Sequence, residues 1–308
     1  MEAIIGVNKN YLLPNIIWFN KFPNGRFANA TFQFLYGKYL ENLGYKVIFG
    51  SQISPKDTNL PWELFDLPDN QDNFSTEHSL FFSDSERTSG PEKSIQRIKK
   101  HFENYPGSVL CVDGYFQFDT GTIRKNNDYY SAFENNLSLK NVTNTFQVAL
   151  KKYHNKIQCE YLVAIHVRRG DYLDFQNSES WTKNVFRPIN LNNIVEKLQD
   201  YTIKNRISNF ILYIASDDID FCKEYFNKTI FNIVTSENFI EDDDKNHLMV
   251  DLAAMTAANM LIASNSSLSI LGGMINTIGR VFWREDMNGE LISFDPWSTP
   301  ILYGVPPC

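Results

Sequence analysis

The sequence predicts an α/β protein built on mostly parallel sheets, and three observations support this prediction. Short, wholly apolar runs occur at residues 161–167, 210–215 and 260–263, as in strands that are buried on both faces. Segments with a helical pattern, at residues 191–203 and 247–258, lie between these runs. Polar and charged residues follow each run directly, and an open parallel sheet binds its ligands at that end of its strands.

The first half of the chain shows a weaker version of the same pattern. Apolar strands are predicted at residues 15–19, 46–49 and 108–112, with a helix at residues 27–43 between the first two. Residues 51–107 are rich in Asn, Ser, Asp and Pro, so we expect loops and short helices there.

The chain length of 308 residues suits two domains. We place the boundary near residues 154–160, which gives an N-terminal domain of residues 1–156 and a C-terminal domain of residues 157–308. The last strand of the second domain is predicted at residues 280–283, and the final residues are expected to pack back on the first domain.

The composition disfavours several classes of protein. A net charge of −7 and a pI near 5.3 are unlike those of a general nucleic-acid binder. The four cysteines are scattered without CxxC or histidine-rich spacing, which disfavours structural zinc and suggests a reducing compartment. No apolar run is long enough to cross a membrane, and the N-terminus lacks the pattern of a signal peptide. We therefore expect a cytoplasmic protein with at most peripheral membrane contact.

The strongest chemical signal is the segment HVRRGDY at residues 166–172, which follows an apolar strand. Two adjacent arginines at the end of a buried strand are costly unless they meet anions, and the arginine fork binds phosphate through two hydrogen bonds. Because side chains alternate along a strand, we expect Arg168 and His166 to face a ligand cleft while Arg169 turns to a structural carboxylate. The alternative is that both arginines form structural salt bridges only.

Two further polar clusters follow strands of the same predicted sheet. Asp217 and Asp218 follow one strand, and a carboxylate there either binds a ribose or base edge or caps the next helix. We expect one aspartate in each role. Asn265, Ser266 and Ser267 open another helix, whose hydroxyls and free N–H groups form either an anion site or a simple N-cap.

The remaining signals are weaker. The segment NGRFAN at residues 24–29 lies at the first strand–helix turn, and Asn29 and Arg26 are expected to face the cleft opposite Arg168 unless the segment is only a polar turn. The acidic run EDDD at residues 241–244 is interpreted as a solvated loop rather than a metal site. The pair Gly272–Gly273 predicts close packing or a ligand near the backbone.

Taken together, these segments resemble the α1,2-fucosyltransferase family, which is related to the α1,6- and protein O-fucosyltransferases. Residues 166–172 resemble the HxRRxDY motif, and residues 214–218, IASDD, resemble the second donor motif. Residues 251–276 are similar to the family's D-L-x-x-M … N-S-S-x-S-x-x-G motif. Residues 25–33, GRFANATFQ, are similar to its N-terminal GxxGNxxFQ motif. The four segments occur in the family order.

The resemblance implies a GT-B arrangement, in which two Rossmann-like domains face a cleft and the C-terminal domain binds the donor. It implies an inverting glycosyltransferase that moves fucose from GDP-fucose to a sugar hydroxyl of a glycan, in α1,2 linkage to galactose. It also implies that no metal or other cofactor is required. The expected acceptor is a bacterial surface polysaccharide or a β-galactoside.

The resemblance also assigns roles to individual residues. Arg168 is expected to bind the diphosphate, and His166 and Asp217 are expected to lie near the guanosine. The expected donor-binding residues are His166, Arg168, Asp217, Asn265, Ser266 and Ser267, and the expected catalytic residues are Arg168, Asn29 and Asp171. Gly25 and Arg26 are expected on the acceptor side. The general base stays open: Asp171, the carboxylate nearest the motif, either acts as the base or only holds an arginine or the loop. Asp174 and Glu179 lie further along, in a loop expected at residues 174–187.

Departures from the family pattern concern the acceptor side and packing more than the donor side. They include Ala28, Ala30 and Thr31 in the N-terminal motif and the stretch at residues 269–272. Two alternative functions stay open: a transferase of the same fold that uses another nucleotide sugar, and a non-catalytic nucleotide- or carbohydrate-binding protein. A P-loop enzyme is excluded because the sequence has no GxxxxGK[ST].

Overall fold

The computed structural model of the protein describes residues 14–22, 27–51, 78–82, 90–118, 120–125, 144, 146–151, 161–177, 182–229, 231–239, 247–276 and 278–303. Within these residues the strands form two sheets, one from each half of the chain. Every strand pair in both sheets is parallel except the last one. The predicted α/β class is therefore confirmed.

The N-terminal sheet has four strands in the order β2-β1-β4-β3. Its elements are β1 (Ile16–Phe22), α1 (Phe27–Asn42), β2 (Lys46–Ser51), β3 (His78–Phe81), α2 (Pro91–Asn104), β4 (Val109–Asp113) and α3 (Thr120–Lys125). Strand β3 corrects the expectation that residues 51–107 contain only loops and short helices. It is an edge strand of 4 residues, HSLF, which is too short to show a period.

The C-terminal sheet has six strands in the order β10-β9-β8-β5-β6-β7. Its strands are β5 (Tyr161–Val167), β6 (Phe210–Ser216), β7 (Asn232–Thr235), β8 (Met260–Ala263), β9 (Val281–Glu285) and β10 (Leu291–Ser293). Its helices are α4 (Gly170–Gln176), α5 (Thr182–Val185), α6 (Leu191–Lys204), α7 (Ile219–Phe226), α8 (His247–Ala257) and α9 (Ser267–Ile275).

Two expectations for this half were wrong. β9 is not the last strand, because β10 pairs with it antiparallel after a turn in which Gly289 has φ 87°. Residues 174–187, expected as a loop, contain the end of α4 and all of α5. Both misses have the same cause, since elements of 3 to 4 residues carry no detectable periodicity.

The helices of the C-terminal half begin and pack as local chemistry dictates. The Asn190 side chain caps α6 by accepting from the N–H groups of Asn192 and Asn193. In α9, a methyl group on Gly272 would lie 2.9 Å from Cβ of Met255 in α8. A methyl group on Gly273 would lie 3.0 Å from Pro296, so both glycines are explained by close packing, one of the two predicted causes.

The apolar core joins the two halves of the chain. One continuous cluster contains Tyr36 and Phe116 from the first half and Tyr213 and Leu252 from the second. A second cluster fills the opposite face of the C-terminal sheet. Near the end of the described chain, Thr299 N donates to Thr120 Oγ1 at 3.1 Å, and Thr120 Oγ1 donates to Thr299 O at 3.0 Å.

Three findings bear on the expected class of protein. The predicted domain boundary falls among residues 152–160, outside the described residues, so the division at residue 156 stays a prediction. No helix in the described part of the chain has the length and apolar character of a membrane span. Within the same part, Cys111 and Cys222 are buried and form no disulfide bond.

Candidate functional site

Three of the predicted polar clusters meet at one edge of the C-terminal sheet. Strand β5 lies between β6 and β8, and all three are parallel, so their carboxyl ends point to the same edge. In the registers, Val167 is opposite Ser216 and Ile165 is opposite Ile262. The residues that follow these strands are therefore neighbours, as an open parallel sheet requires.

Arg168 follows β5 and is held by two carboxylates. Its Nη2 lies 2.9 Å from Asp171 Oδ1, and its Nη1 lies 2.9 Å from Asp217 Oδ2. The side chain of Arg168 is only 14% exposed. A guanidinium has five N–H donors in a planar fork, so these two contacts fix its orientation and leave other donors for a ligand.

Arg169 takes the structural role that alternation along the strand predicted. Its Nε donates to Asp218 Oδ2 at 2.9 Å, and its guanidinium carbon lies 3.5 Å from the centre of the Phe221 ring. Asp218 in turn caps α7 by accepting from Phe221 N at 3.4 Å. The expected division of roles between the two aspartates is thus confirmed for Asp218, which is the cap.

Asp217 bonds to both arginines. We call the ion-paired cluster of Arg168, Arg169, Asp171, Asp217 and Asp218 the arginine corner. Its Oδ1 accepts from the backbone N–H of Arg169 at 2.8 Å, while Oδ2 pairs with Arg168. Gly170 makes room for this carboxylate, because a methyl group on Gly170 would lie 2.8 Å from Asp217 Oδ2. One Asp217 oxygen therefore orients the Arg168 guanidinium and the other holds the backbone at Arg169, while the expected contact of Asp217 with the guanosine stays a prediction.

His166 does not face an open cleft, which corrects the expectation drawn from strand alternation. Its side chain is 3% exposed, and Nδ1 is hydrogen-bonded to Ser264 Oγ at 2.8 Å. Burial lowers the pKa of His166 to about 4, although the nearby Asp217 charge acts in the opposite direction. The imidazole is therefore neutral at physiological pH, and it is buried near the end of β5, two residues before Arg168.

The start of α9 lies beside this arginine corner. Ser266 is the N-cap residue, and no side chain within the described residues caps the helix by a hydrogen bond. The first N–H groups of α9 thus point toward the sheet edge with the positive end of the helix dipole. The Tyr172 hydroxyl contacts Ser266 and donates to the backbone oxygen of Asn265 at 2.8 Å, so α4 and α9 are joined.

The Asn265 side chain links the start of α9 to neighbouring segments of the C-terminal half. Its Nδ2 donates to Val185 O at 2.7 Å and to Tyr303 O at 3.1 Å, and its Oδ1 accepts from Arg284 Nη2 and from Tyr303 N. Because the amide is engaged at both ends, the geometry gives Asn265 a supporting role. This arrangement does not favour the direct contact between Asn265 and the sugar donor that the family resemblance implies.

Asn29 reaches the same corner from the other half of the chain. It lies in the first turn of α1, and α1 contacts α9. Its Oδ1 accepts from Ser267 Oγ at 3.0 Å and from Gln117 Nε2 at 2.6 Å. The structure thus brings Asn29 and Ser267 together, as expected of residues on opposite sides of one cleft.

Several predicted residues cannot be placed. Gly25 and Arg26, the expected acceptor-side pair, lie outside the described residues, as do Glu179 and the acidic run at residues 241–244. Of the carboxylates considered as a base, Asp171 pairs with Arg168 and is 33% exposed, whereas Asp174 is an exposed residue of α4. Among the residues that are described, no group of three His, Cys, Asp or Glu could hold a metal ion.

Two contributors to the site were not predicted from the sequence. Gln117 donates to the amide oxygen of Asn29, and Arg284 donates to the amide oxygen of Asn265, just before α9. Gln117 carried no local signal, because it follows a short strand in an irregular segment. Arg284 did carry one, since an arginine at the end of an apolar strand is the same signal that singled out Arg168.

Comparison with known proteins shows which family the chain belongs to. The profile of glycosyl transferase family 11 matches residues 113–281, more than half of the chain. An alpha-1,2-colitosyltransferase of Escherichia coli is 29% identical over 212 residues, which cover 66% of this chain and 65% of that protein. The chain therefore spans somewhat less than two thirds of the length of this relative.

Solved structures show the same fold. The fucosyltransferase NodZ from Bradyrhizobium aligns with a TM-score of 0.51 and 11% identity, over 92% of this chain and 99% of NodZ. NodZ alpha-1,6-fucosyltransferase soaked with GDP-fucose aligns with a TM-score of 0.50 and 13% identity, over 92% and 99% of the two chains.

The two parallel sheets and these structural matches confirm the expected GT-B arrangement. The arginine motif after β5 and the serines that open α9 fall inside the matched profile. The chain belongs to glycosyl transferase family 11.

Proposed function

We propose that the protein is an inverting glycosyltransferase that moves fucose from GDP-fucose to a hydroxyl group of a glycan. The observation that carries this proposal is the placement of Arg168. Its guanidinium is oriented by Asp171 and Asp217 at the carboxyl end of β5, beside the uncapped start of α9. Two sources of positive charge thus converge where a sugar diphosphate would lie.

The chemistry follows from the charge that develops during transfer. When the bond from fucose to phosphate breaks, negative charge grows on GDP and positive charge on the sugar ring. A guanidinium that is already oriented stabilises the leaving diphosphate without reorganising, so it lowers the barrier rather than only binding the donor. Arg168 and the helix start supply this charge, so we further propose that no metal cofactor is required.

The donor competes for Arg168 with the carboxylates that hold it. The corner contains two arginines, Arg168 and Arg169, against three aspartates, Asp171, Asp217 and Asp218. Asp171 is more exposed than Asp217, 33% against 24%, so we propose that the diphosphate displaces Asp171 when the donor binds, while Asp217 keeps the guanidinium oriented during transfer. We propose that Asp171, once released from Arg168, is the carboxylate that accepts the proton of the acceptor hydroxyl.

The acceptor side is proposed on the position of Asn29. Its amide oxygen is fixed by Ser267 and Gln117, which leaves the amide nitrogen to orient a sugar hydroxyl near the reacting carbon. We propose Gly25 and Arg26 as further acceptor-side residues because they precede α1 in the same motif. A glycan acceptor with a terminal galactose is the substrate to try first, and we propose that fucose is added to that galactose in α1,2 linkage. We propose a cytoplasmic location, which the lack of a disulfide at the buried Cys111 and Cys222 of the described chain supports.

A second donor has a specific observation in its favour. The relative from Escherichia coli is an alpha-1,2-colitosyltransferase, and it is 29% identical to this chain over the aligned residues. Colitose is a 3-deoxy form of fucose, so the two donors share the diphosphate and differ in one hydroxyl of the sugar. The arginine corner would serve either donor equally.

Released GDP measures the function directly. The protein is incubated with GDP-fucose or with the colitose donor, each with a panel of galactosides and surface polysaccharides. We expect acceptor-dependent release of GDP with at least one pair. Calorimetric titration with GDP and with UDP separates a guanine-specific site from that of a UDP-sugar enzyme. Tight GDP binding without turnover of any pair would favour a non-catalytic binding protein.

A further inference from the structure

Arg284 is a buried cation whose partners are all neutral within the described residues. It lies at the end of β9 and its side chain is 0% exposed. Nη1 donates to Thr299 Oγ1 at 3.2 Å and to Pro300 O at 2.6 Å, and Nη2 donates to Ile301 O at 3.1 Å. The ring of Tyr303 lies 3.7 Å from the guanidinium carbon.

This burial is expensive without a nearby anion. Transfer of a charged group from water into a protein interior costs several kcal/mol, about as much as many proteins' whole stability, unless charge or hydrogen bonds compensate. Burial lowers the pKa of Arg284 to about 10, which still leaves the guanidinium charged at neutral pH. Its Nε also has no hydrogen-bond partner within the described residues. The positive charge is therefore retained but incompletely compensated.

Arg284 is joined to the proposed diphosphate site by one residue. Nη2 donates to Asn265 Oδ1 at 2.5 Å, and Asn265 directly precedes Ser266, the N-cap of α9. The backbone oxygen of Asn265 accepts from Tyr172 OH, and the Tyr172 ring lies 5.8 Å from the guanidinium carbon of Arg168. Arg284 is thus linked through Asn265 to the start of α9 and to Tyr172, the neighbour of Arg168.

The charges of the arginine corner explain why a further cation is useful there. The corner has one more aspartate than arginine, whereas a diphosphate needs net positive charge around it. A buried cation bonded to Asn265, just before the N-cap of α9, adds to the positive charge at the start of that helix, and it is less screened by solvent than a surface lysine.

We infer that Arg284 is a positioning residue for the donor diphosphate. It holds Asn265, and with it the start of α9, in place, and it supplies a fixed positive charge that the bound diphosphate balances. This inference rests on the proposed function, because it requires the diphosphate to lie between Arg168 and α9. It extends that proposal to a residue that never touches the donor.

The test compares two ligands that differ only in the diphosphate. GDP and guanosine are titrated calorimetrically into the wild-type protein and into Arg284→Met, Arg284→Lys and the control Arg187→Met. Arg187 also bonds to the turn after β9, through Asp286 O and Met287 O, and within the described residues no hydrogen bond joins it to Asn265 or Ser266. Thermal unfolding verifies that each variant is folded.

We expect Arg284→Met to weaken GDP binding by about tenfold or more and to leave guanosine binding unchanged, a difference of one decade in the ratio of the two dissociation constants. Arg284→Lys keeps the charge but not the fork, so it should recover part of this loss. Arg187→Met should leave the ratio at the wild-type value. If the methionine variant does not fold, the same ratio in the lysine variant decides the question.

The outcomes separate the inference from the proposed function. Equal weakening of GDP and guanosine, or an unchanged ratio in a folded Arg284 variant, would overturn the inference and leave the function standing. A wild-type protein that does not bind GDP would overturn both.

Discussion

The Ser267 hydroxyl donates a hydrogen bond to the amide oxygen of Asn29 at 3.0 Å, although 238 residues separate the two in the chain. Ser267 opens α9 beside the arginine corner, and Asn29 belongs to α1 in the other half of the chain. This contact joins the side proposed for the donor to the side proposed for the acceptor. It therefore links the two halves of the chain at the proposed site.

We expect Asn29 and Ser267 to act as a unit in transfer. Asn29→Ala and Ser267→Ala should each lower kcat/KM, and the double variant should lose less than the sum of the two, with a coupling energy of about 0.5 to 3 kcal/mol. The measurement is a double-mutant cycle on the rate of GDP release.

Thr120→Val is the matched control for this cycle. It removes the hydroxyl that bonds to Thr299, another contact between the halves of the chain, but it lies outside the site. We expect it to lower the melting temperature without a specific loss of kcat/KM. Strict additivity of Asn29→Ala and Ser267→Ala would argue against a shared role.

Gly170 makes a second prediction because it leaves space for Asp217. In Gly170→Ala the new methyl group would lie 2.8 Å from Asp217 Oδ2, so the carboxylate must move away from Arg168. We expect a fall in kcat/KM of about tenfold, with a small change in stability because the displaced atoms are at the end of a side chain. The rate of GDP release and the melting temperature measure the two effects.

The control for Gly170→Ala is the same substitution made in an Asp217→Ala background. With the carboxylate absent, the methyl group has nothing to displace, so the second substitution should cost little further activity. If Gly170→Ala is equally harmful in both backgrounds, the effect arises from the backbone and not from Asp217.

Asp251 makes the stability of the fold depend on pH. It is buried in α8, accepts a hydrogen bond from Tyr213 OH at 2.8 Å, and burial raises its pKa to about 8, with the tyrosine contact acting in the opposite direction. The folded protein therefore holds this proton more tightly than the unfolded chain does. The contribution to stability is present at low pH and is lost as the pH rises toward 8.

His166 acts with the opposite sign in a lower window. Its pKa of about 4 lies below the ordinary value of 6.5, so stability rises with pH until about 6.5 and is then unaffected by this group. Between pH 6.5 and 8, Asp251 is therefore the one of these two groups whose titration changes the free energy of unfolding. We expect the free energy of unfolding to fall there by up to about 1.4 kcal/mol per pH unit.

Chemical denaturation at pH 6.5, 7 and 8 checks this prediction, with Asp251→Asn as the comparison. The asparagine keeps the acceptor for Tyr213 and removes the titration, so the variant should lack the slope that the wild-type protein shows. Parallel slopes in the two proteins would mean that Asp251 does not titrate in this window.

The sequence predicted those parts of the fold that local pattern controls. Strands β5 and β8 have the predicted bounds, because wholly apolar runs mark their ends, and α7 begins directly after the two aspartates, one of which was predicted to cap it. Strands β3 and β10 were missed, since runs of 3 to 4 residues depend on a neighbouring strand rather than on their own pattern.

The site was predictable to a similar extent. Arg168 and Arg169 take opposite sides of the chain because strand alternation is a local rule. The burial of His166 is not local, since it depends on Ser264, 98 residues away. The supporting role of Asn265 is set by Arg284 and Tyr303, 19 and 38 residues away. Motifs therefore located the site, whereas packing decided which residues can touch a ligand.

The most direct test of the central claim is the rate of GDP release from the donor by Arg168→Lys, with Arg168→Ala beside it. The lysine keeps the charge but loses the planar fork, so we expect both variants to lose at least about a hundredfold in rate, close to 3 kcal/mol of transition-state stabilisation. Arg280→Lys, at an exposed arginine with no part in the site, should match the wild-type rate. Near-normal transfer by either folded Arg168 variant would contradict the claim that this guanidinium stabilises the departing diphosphate.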